Sequence, residues 1–225
     1  MIHFPKLPNP EIEAWLNHQK NLVSGSYDSD DILDQLHDDF HGKCYICEFT
    51  ATSIRIEHFR PQSLGKNQKF DWFNLFYACE HCNAIKSDDY LNFIDCSTEY
   101  PDSEISFDVD PLAVAQDKVI ISRVAGSTVH DDTLKLLRAV YSTDGDYPRV
   151  TKRKKLEASN IVSELLKELN EFKELAEAYL AYQDNDDLDD LRFELNNKSK
   201  FTAFKRWIVR NNQNYSQQLS ALFVN

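Results

Sequence analysis

Four cysteines fall in two Cys-x-x-Cys pairs, Cys44/Cys47 and Cys79/Cys82; Glu57-His58 lies between the pairs, and the second pair runs directly into Asn83 and then Lys86. Each pair makes a tight turn that aims two sulfurs at one point, so four thiolates suit a closed tetrahedral zinc site. A closed site leaves no sulfur for catalysis, and chemistry falls to a second ion held by oxygen or nitrogen ligands, which Glu57, His58 and Asn83 can supply. His58 reads as a general base, because its unperturbed pKa lies close to the working pH; the plain alternative is a packed or surface histidine. Glu57 reads as a metal ligand or as a solvated strand-end carboxylate. Neighbours on a strand point to opposite faces, so a distortion at the strand end or at Pro61 must bring the two together. Asn83 suits a helix cap, a Mg²⁺ ligand, or both. Asn74 either stabilises a loop or hydrogen-bonds across the fold to hold the tautomer of His58. His81, between two zinc cysteines, is expected to face solvent or substrate, since four thiols already fill the site. Cys96 reads as a buried small hydrophobe or a loop thiol.

These groups must be positioned by short elements. Asn9-Pro10 starts a helix, and Ile32, Leu33, Leu36 and Phe40 place a second at about 30–41, stopped by Gly42 ahead of the first cysteine pair. The β-branched alternation of 51–58 predicts a strand ending at Glu57-His58, with a turn at Arg60-Pro61. Asn74 falls in the loop after Gly65, and a helix over 82–89 returns Asn83 and Lys86 against the strand. Farther on, 105–109 and 119–122 pair as a hairpin around Asp110-Pro111, and 131–141 is helical. A long helix covers about 153–182 with Leu156, Ile161, Leu165, Leu169, Phe172 and Tyr179 as its apolar stripe; 183–187 breaks it, and a last helix from near Ser199 carries Phe201, Phe204, Trp207, Ile208 and Leu219. The expected fold is α+β and mostly helical. It divides into a helical arm over 1–43, a zinc-containing core over 44–100 and a mainly helical region over 101–225.

A chain of 225 residues with 42% apolar side chains can bury one large core or two smaller ones. Five cysteines, four in close pairs, argue for a reducing compartment, and cytoplasm is the expected location. The opening residues lack a secretory pattern, and no apolar run approaches the roughly 18 residues of a membrane span. The formal charge of −12 cuts against unaided binding to a polyanion. Acidic residues gather at 27–39 and 184–190, while Lys152–Lys155 and Lys200–Arg210 are basic. Affinity for nucleic acid then depends on local basic patches or on a partner protein.

The order Cys44-x-x-Cys47, Ile56-Glu57-His58-Phe59-Arg60-Pro61, Asn74-Leu75, Cys79-x-x-Cys82-Asn83-x-x-Lys86 resembles the HNH endonuclease family in its zinc-containing ββα-metal form. The motifs cover about residues 44–88. The Ile-Glu-His-Phe-Arg-Pro stretch is similar to the subgroup that includes PtuB, the HNH subunit of Septu and of retron-associated anti-phage defence systems. The resemblance implies a ββα-metal nuclease core in which His58 is the general base, Asn74 the middle Asn, and Glu57 and Asn83 the ligands of one catalytic Mg²⁺ or Mn²⁺. The third name-giving position, often His, is Asn83 here, which bears on the preferred ion. Arg60 and Lys86 become candidates to hold flanking phosphates. The implied activity is phosphodiester hydrolysis, of DNA by family frequency, with RNA such as tRNA as the alternative. The implied partners are a PtuA-like ATPase, docking on the exposed aromatics of the helical second half, and a retron reverse transcriptase with its msDNA. Two rival readings are a non-catalytic zinc-ribbon binding module and a structural adaptor.

Overall fold

Asn9 accepts a hydrogen bond from the Ile12 amide and opens α1 (Pro10–Asn21) with proline at its first position, where no amide is needed. Ser29 caps α2 (Asp30–Asp39) in the same way, and Ile32 and Leu36 bury its inner face. The helix ends through His41 and Gly42, both left-handed at φ 53° and 69°. A Cβ on Gly42 would lie 2.9 Å from the His37 ring, so glycine is required here. The structure, a computed structural model, describes residues 1–110, 112–113 and 118–223.

Strand β1 (Ile54–His58) pairs antiparallel with β2 (Leu75–Cys79), with Glu57 opposite Phe76 and His58 opposite Leu75. The connection holds a short helix, α3 (Lys66–Lys69), and a 3-10 turn, Trp72–Asn74. Helix α4 (Glu80–Lys86) follows β2 without a loop, because the Cys79 sulfur itself caps it by accepting from the Cys82 amide. For that reason it starts two residues earlier than the expected 82–89 and ends at Lys86. A one-turn α5 (Pro101–Glu104) leads into β3 (Ile105–Val109), which pairs antiparallel with β4 (Val119–Arg123). The hairpin is as expected; Pro111, assigned to its turn, lies outside the described residues.

The rest is helical: α6 (Asp131–Val140), α7 (Lys152–Tyr182), α8 (Asn185–Glu194), α9 (Thr202–Asn211) and α10 (Gln213–Leu219). Three expectations need correction. The acidic stretch 183–187 does end the long helix, with Gln183 turning the chain at φ 54°, but it also opens an unexpected one: Asp184 caps α8, and Asp186 and Asp187 sit in its first turn, where the helix dipole favours carboxylates. The final helix is two, divided at Asn212, whose side chain caps α10. Leu156 is 65% exposed, and the buried stripe of α7 runs instead through Ala158, Ile161, Leu165, Leu169 and Phe172.

The fold is therefore α+β, with two small two-stranded sheets among helices. The main core joins Phe4, Phe40, Cys44, Phe76, Leu137 and Phe204, drawing on the beginning, middle and end of the chain. A second cluster closes the ends of α7 and α8 against α9 and α10 through Phe172, Leu191, Val209 and Leu219. Among the described residues no helix is long and apolar enough to cross a membrane. The basic run 200–210 is an internal clamp rather than a surface patch. Lys205 and Arg206 are buried; Lys205 pairs with Glu168 and Glu194, Lys200 with Glu164 and Glu168, and Arg206 and Arg210 with Asp102.

Candidate metal centre and adjoining cleft

Both cysteine pairs are turned inward by local backbone. In the first, the Glu48 amide donates to the Cys44 carbonyl at 2.8 Å and Glu48 is left-handed at φ 58°, a tight knuckle. In the second, the cap of α4 sets Cys79 and Cys82 side by side. All four sulfurs are buried, none is in a disulfide, and they lie within 4.8 Å of one another. Cys47 Sγ and Cys79 Sγ are 3.9 Å apart. A tetrahedron with Zn–S bonds of 2.3 Å has edges of about 3.8 Å, so the group could hold a metal ion such as zinc. Burial raises the Cys47 and Cys82 thiols well above their ordinary value. At Cys44 burial pushes the same way but is outweighed by hydrogen bonds from the other three thiols, which set it well below. A soft, thiol-only donor set of this kind selects zinc over the hard ions.

Beside this cluster, Glu57, His58 and Asn83 line one cleft of about 390 Å³, together with Pro61, Asp88 and Arg149. Glu57 and His58 are the last two paired residues of β1, and the chain bends through Phe59 and Arg60 beyond them, so both line the cleft at the open end of the strand. His58 is buried, with its ring edge-on to Tyr27 at 4.5 Å. Its Nε2 is 3.0 Å from the Lys69 carbonyl. A carbonyl only accepts, so Nε2 carries the hydrogen and Nδ1 the lone pair. Burial lowers the His58 pKa, and the charges of Lys86 and Lys69 act in the same direction. The neutral ring is thus the favoured form near neutrality.

Asn74 contacts backbone only. Its Oδ1 accepts from the Arg60 amide at 2.7 Å, and its Nδ2 donates to the carbonyls of Arg60 and Gln68 at 2.8 and 2.9 Å. It therefore stabilises a loop and makes no hydrogen bond to the His58 ring, which it frames from two sides: through Arg60 and Phe59 just after His58, and through the 66–69 segment whose Lys69 carbonyl holds the ring. Lys86, expected at a substrate phosphate, is 1% exposed: its Nζ donates to Glu57 Oε1 at 2.6 Å and to the His58 carbonyl at 2.8 Å. The buried carboxylate takes the ammonium that the sequence offered to substrate. Burial raises the Glu57 pKa and the Lys86 charge opposes it. Arg60 is exposed on the bend beyond β1. His81 also departs from expectation, being buried with Nε2 donating to the Val140 carbonyl at 2.8 Å and Nδ1 3.1 Å from Glu157. It fastens α4 to α6 and α7. Cys96 is buried, as expected of a small hydrophobe.

Among the described residues, the four thiols are the only group of three or more His, Cys, Asp and Glu whose ligand atoms converge. In the cleft the oxygen donors are the Asn83 amide and the Glu57 carboxylate, which also takes the Lys86 ammonium and a backbone hydrogen bond at His58. One carboxylate and one amide fit a hard divalent ion that keeps several waters and takes further oxygens from a phosphate.

The chain matches no family model and no curated protein. The reading of the site therefore rests on its own chemistry. Sequence reasoning missed Asp88 and Arg149 as lining residues. Arg149 stands just ahead of the basic run Lys152–Lys155, a signal that such reasoning could have used.

Proposed function

We propose that this chain is a metal-dependent endonuclease of the HNH type, hydrolysing phosphodiester bonds of DNA. The observation that carries the reading is the meeting of Glu57, His58 and Asn83 in one cleft, on a β-strand pair and helix anchored by the four buried thiols. On this reading β1, β2 and α4 form the ββα-metal core, and zinc at the thiols fixes β2 and α4. His58 Nδ1 takes a proton from the attacking water while the Lys69 carbonyl keeps Nε2 protonated and the ring in place. Lys86 holds Glu57, and Glu57 and Asn83 would hold Mg²⁺ or Mn²⁺. When bound, that ion supplies positive charge for the crowded phosphorus and the departing 3′ oxygen.

The wider role follows from charge. With a formal charge of −12 and the basic run 200–210 consumed inside the fold, the chain has a weak general hold on nucleic acid. We propose that it serves as the nuclease subunit of an anti-phage complex in which a PtuA-like ATPase grips the DNA. The test is Mg²⁺-dependent cleavage of plasmid DNA and of tRNA by wild type and His58→Ala, each with zinc content measured, alone and with the ATPase. Cleavage of DNA that needs His58 while both proteins keep their zinc supports the reading; selective cleavage of tRNA corrects the substrate. A folded, zinc-replete chain that cuts neither under any condition returns it to the binding-module class.

A further inference from the structure

Arg149 reaches the cleft from outside the stretch that carries the other site residues. It lies between α6 and α7, three residues before Lys152, and lines the same cleft as Glu57, His58 and Asn83. Its backbone is left-handed at φ 64°, and its neighbours hold it there: Val150 donates to the Tyr147 carbonyl at 3.2 Å and Thr151 to the Arg149 carbonyl at 3.1 Å. The guanidinium pairs with Asp89, just past the end of α4, through Nε and Nη2, which leaves the Nη1 donors available to a ligand. The side chain stays 47% exposed.

The surrounding charges say what that ligand is. Glu57 and Asp88 line the cleft too, Asp88 accepting from the Ser63 hydroxyl at 3.0 Å, so an anion entering needs a cation on the same wall. Beyond Arg149 the chain enters the first turn of α7, where Lys152 is exposed and the helix N-terminus adds its own partial charge, while Arg153 is paired with Glu157 at 3.0 Å and lines a separate pocket. Resting on the nuclease reading, we infer that Arg149 is a substrate-binding residue. It holds a non-bridging oxygen of the phosphodiester next to the one cut, and the exposed Lys152 at the start of α7 supports the adjoining stretch of DNA backbone. A guanidinium suits this task because its planar fork matches a phosphate.

The competing role for Arg149 is to pin its own loop through Asp89, and the two make opposite predictions. The measurement is binding of a short fluorescein-labelled DNA duplex by anisotropy, without added divalent ion, between about 50 and 200 mM salt. It is run on the full-length wild type, Arg149→Ala and Asp89→Asn, alongside Mg²⁺-dependent cleavage alone and with the ATPase. A phosphate contact predicts that Arg149→Ala weakens binding about tenfold and lowers the slope of log K against log salt by about 0.9. It predicts also a higher KM with kcat within about twofold. Asp89→Asn, which releases the guanidinium, should bind as tightly as wild type or more tightly. Equal weakening in both variants with an unchanged slope overturns the assignment and leaves the nuclease reading standing. Cleavage by wild type with no change of slope in Arg149→Ala does the same, whereas a wild type that binds no duplex at any of these salts and cuts nothing either alone or with the ATPase overturns both.

Discussion

Glu57 is buried with the Lys86 ammonium 2.6 Å from one of its oxygens, so each charge depends on the other. Lys86→Met strands a carboxylate in the interior and is expected to cost about 3–5 kcal/mol in urea unfolding. Adding Glu57→Gln should restore most of that loss, since the stranded charge is then gone. Near-wild-type stability of Lys86→Met would show that the pair is dispensable. If the nuclease reading holds, His58→Ala should keep the fold and any metal at the thiols while cleavage falls by about 10²–10⁴, the usual worth of a general base; assays of metal content and cleavage on one preparation decide this. The residues beside diagnostic spacings were the legible ones. That Glu57, His58 and Asn83 would come together was readable from the cysteine pairs beside them, and they do line one cleft. Lys86 was misjudged because a sequence shows a lysine's charge but not whether a carboxylate lies within reach.

The segment between β1 and β2 works as one frame, with Asn74 as its rivet. Asn74→Ala frees an amide of Arg60 and carbonyls of Arg60 and Gln68, at a cost of about 1–3 kcal/mol. Because the loosened segment carries the Lys69 carbonyl, kcat should fall more than KM rises, and steady-state kinetics separate the two. The same frame is held from beneath by Lys6, which donates to the carbonyls of Trp72 and Leu75 and lies over the Trp72 ring at 3.6 Å. Burial pushes the Lys6 pKa down to about 7. The unfolded chain keeps that proton to about 10.4, so unfolding takes up a proton between these values and the Lys6 contribution to stability rises with pH across the window. Wild type minus Lys6→Met should therefore climb from pH 7 upward by at most about 1.4 kcal/mol per unit, read from urea unfolding at several pH values. A flat difference refutes the assignment. Elements with strong caps were readable in advance, as at Asn9-Pro10. The start of α4 was not, because a cysteine sulfur is an unusual cap, and α8 hid in a run of aspartates that resembles a break until its dipole is considered.

At the scale of the whole molecule the thiol cluster is a crossroads. The first knuckle bonds to β2 through the Tyr45 amide and the Tyr77 carbonyl, and to α6 through the Tyr141 hydroxyl and the Cys47 carbonyl. Stripping the metal with a chelator should lower the thermal midpoint sharply and unfold more than the cysteine segment; retention of full ellipticity at 37 °C in the metal-free chain would contradict a structural role. No pattern in the sequence foretold that the distant Lys200–Arg210 run would be spent on gluing α9 to its neighbours. One further property follows from α7. Its 31 residues make a bar of roughly 46 Å. Near one end Glu157 grips His81 of α4, and the other end is seated in the α8–α10 cluster. The bar thus spans the molecule from the helix that carries Asn83 on the cleft wall to the far α8–α10 corner, and each end is fixed by a different kind of contact, an ion pair at one and apolar packing at the other.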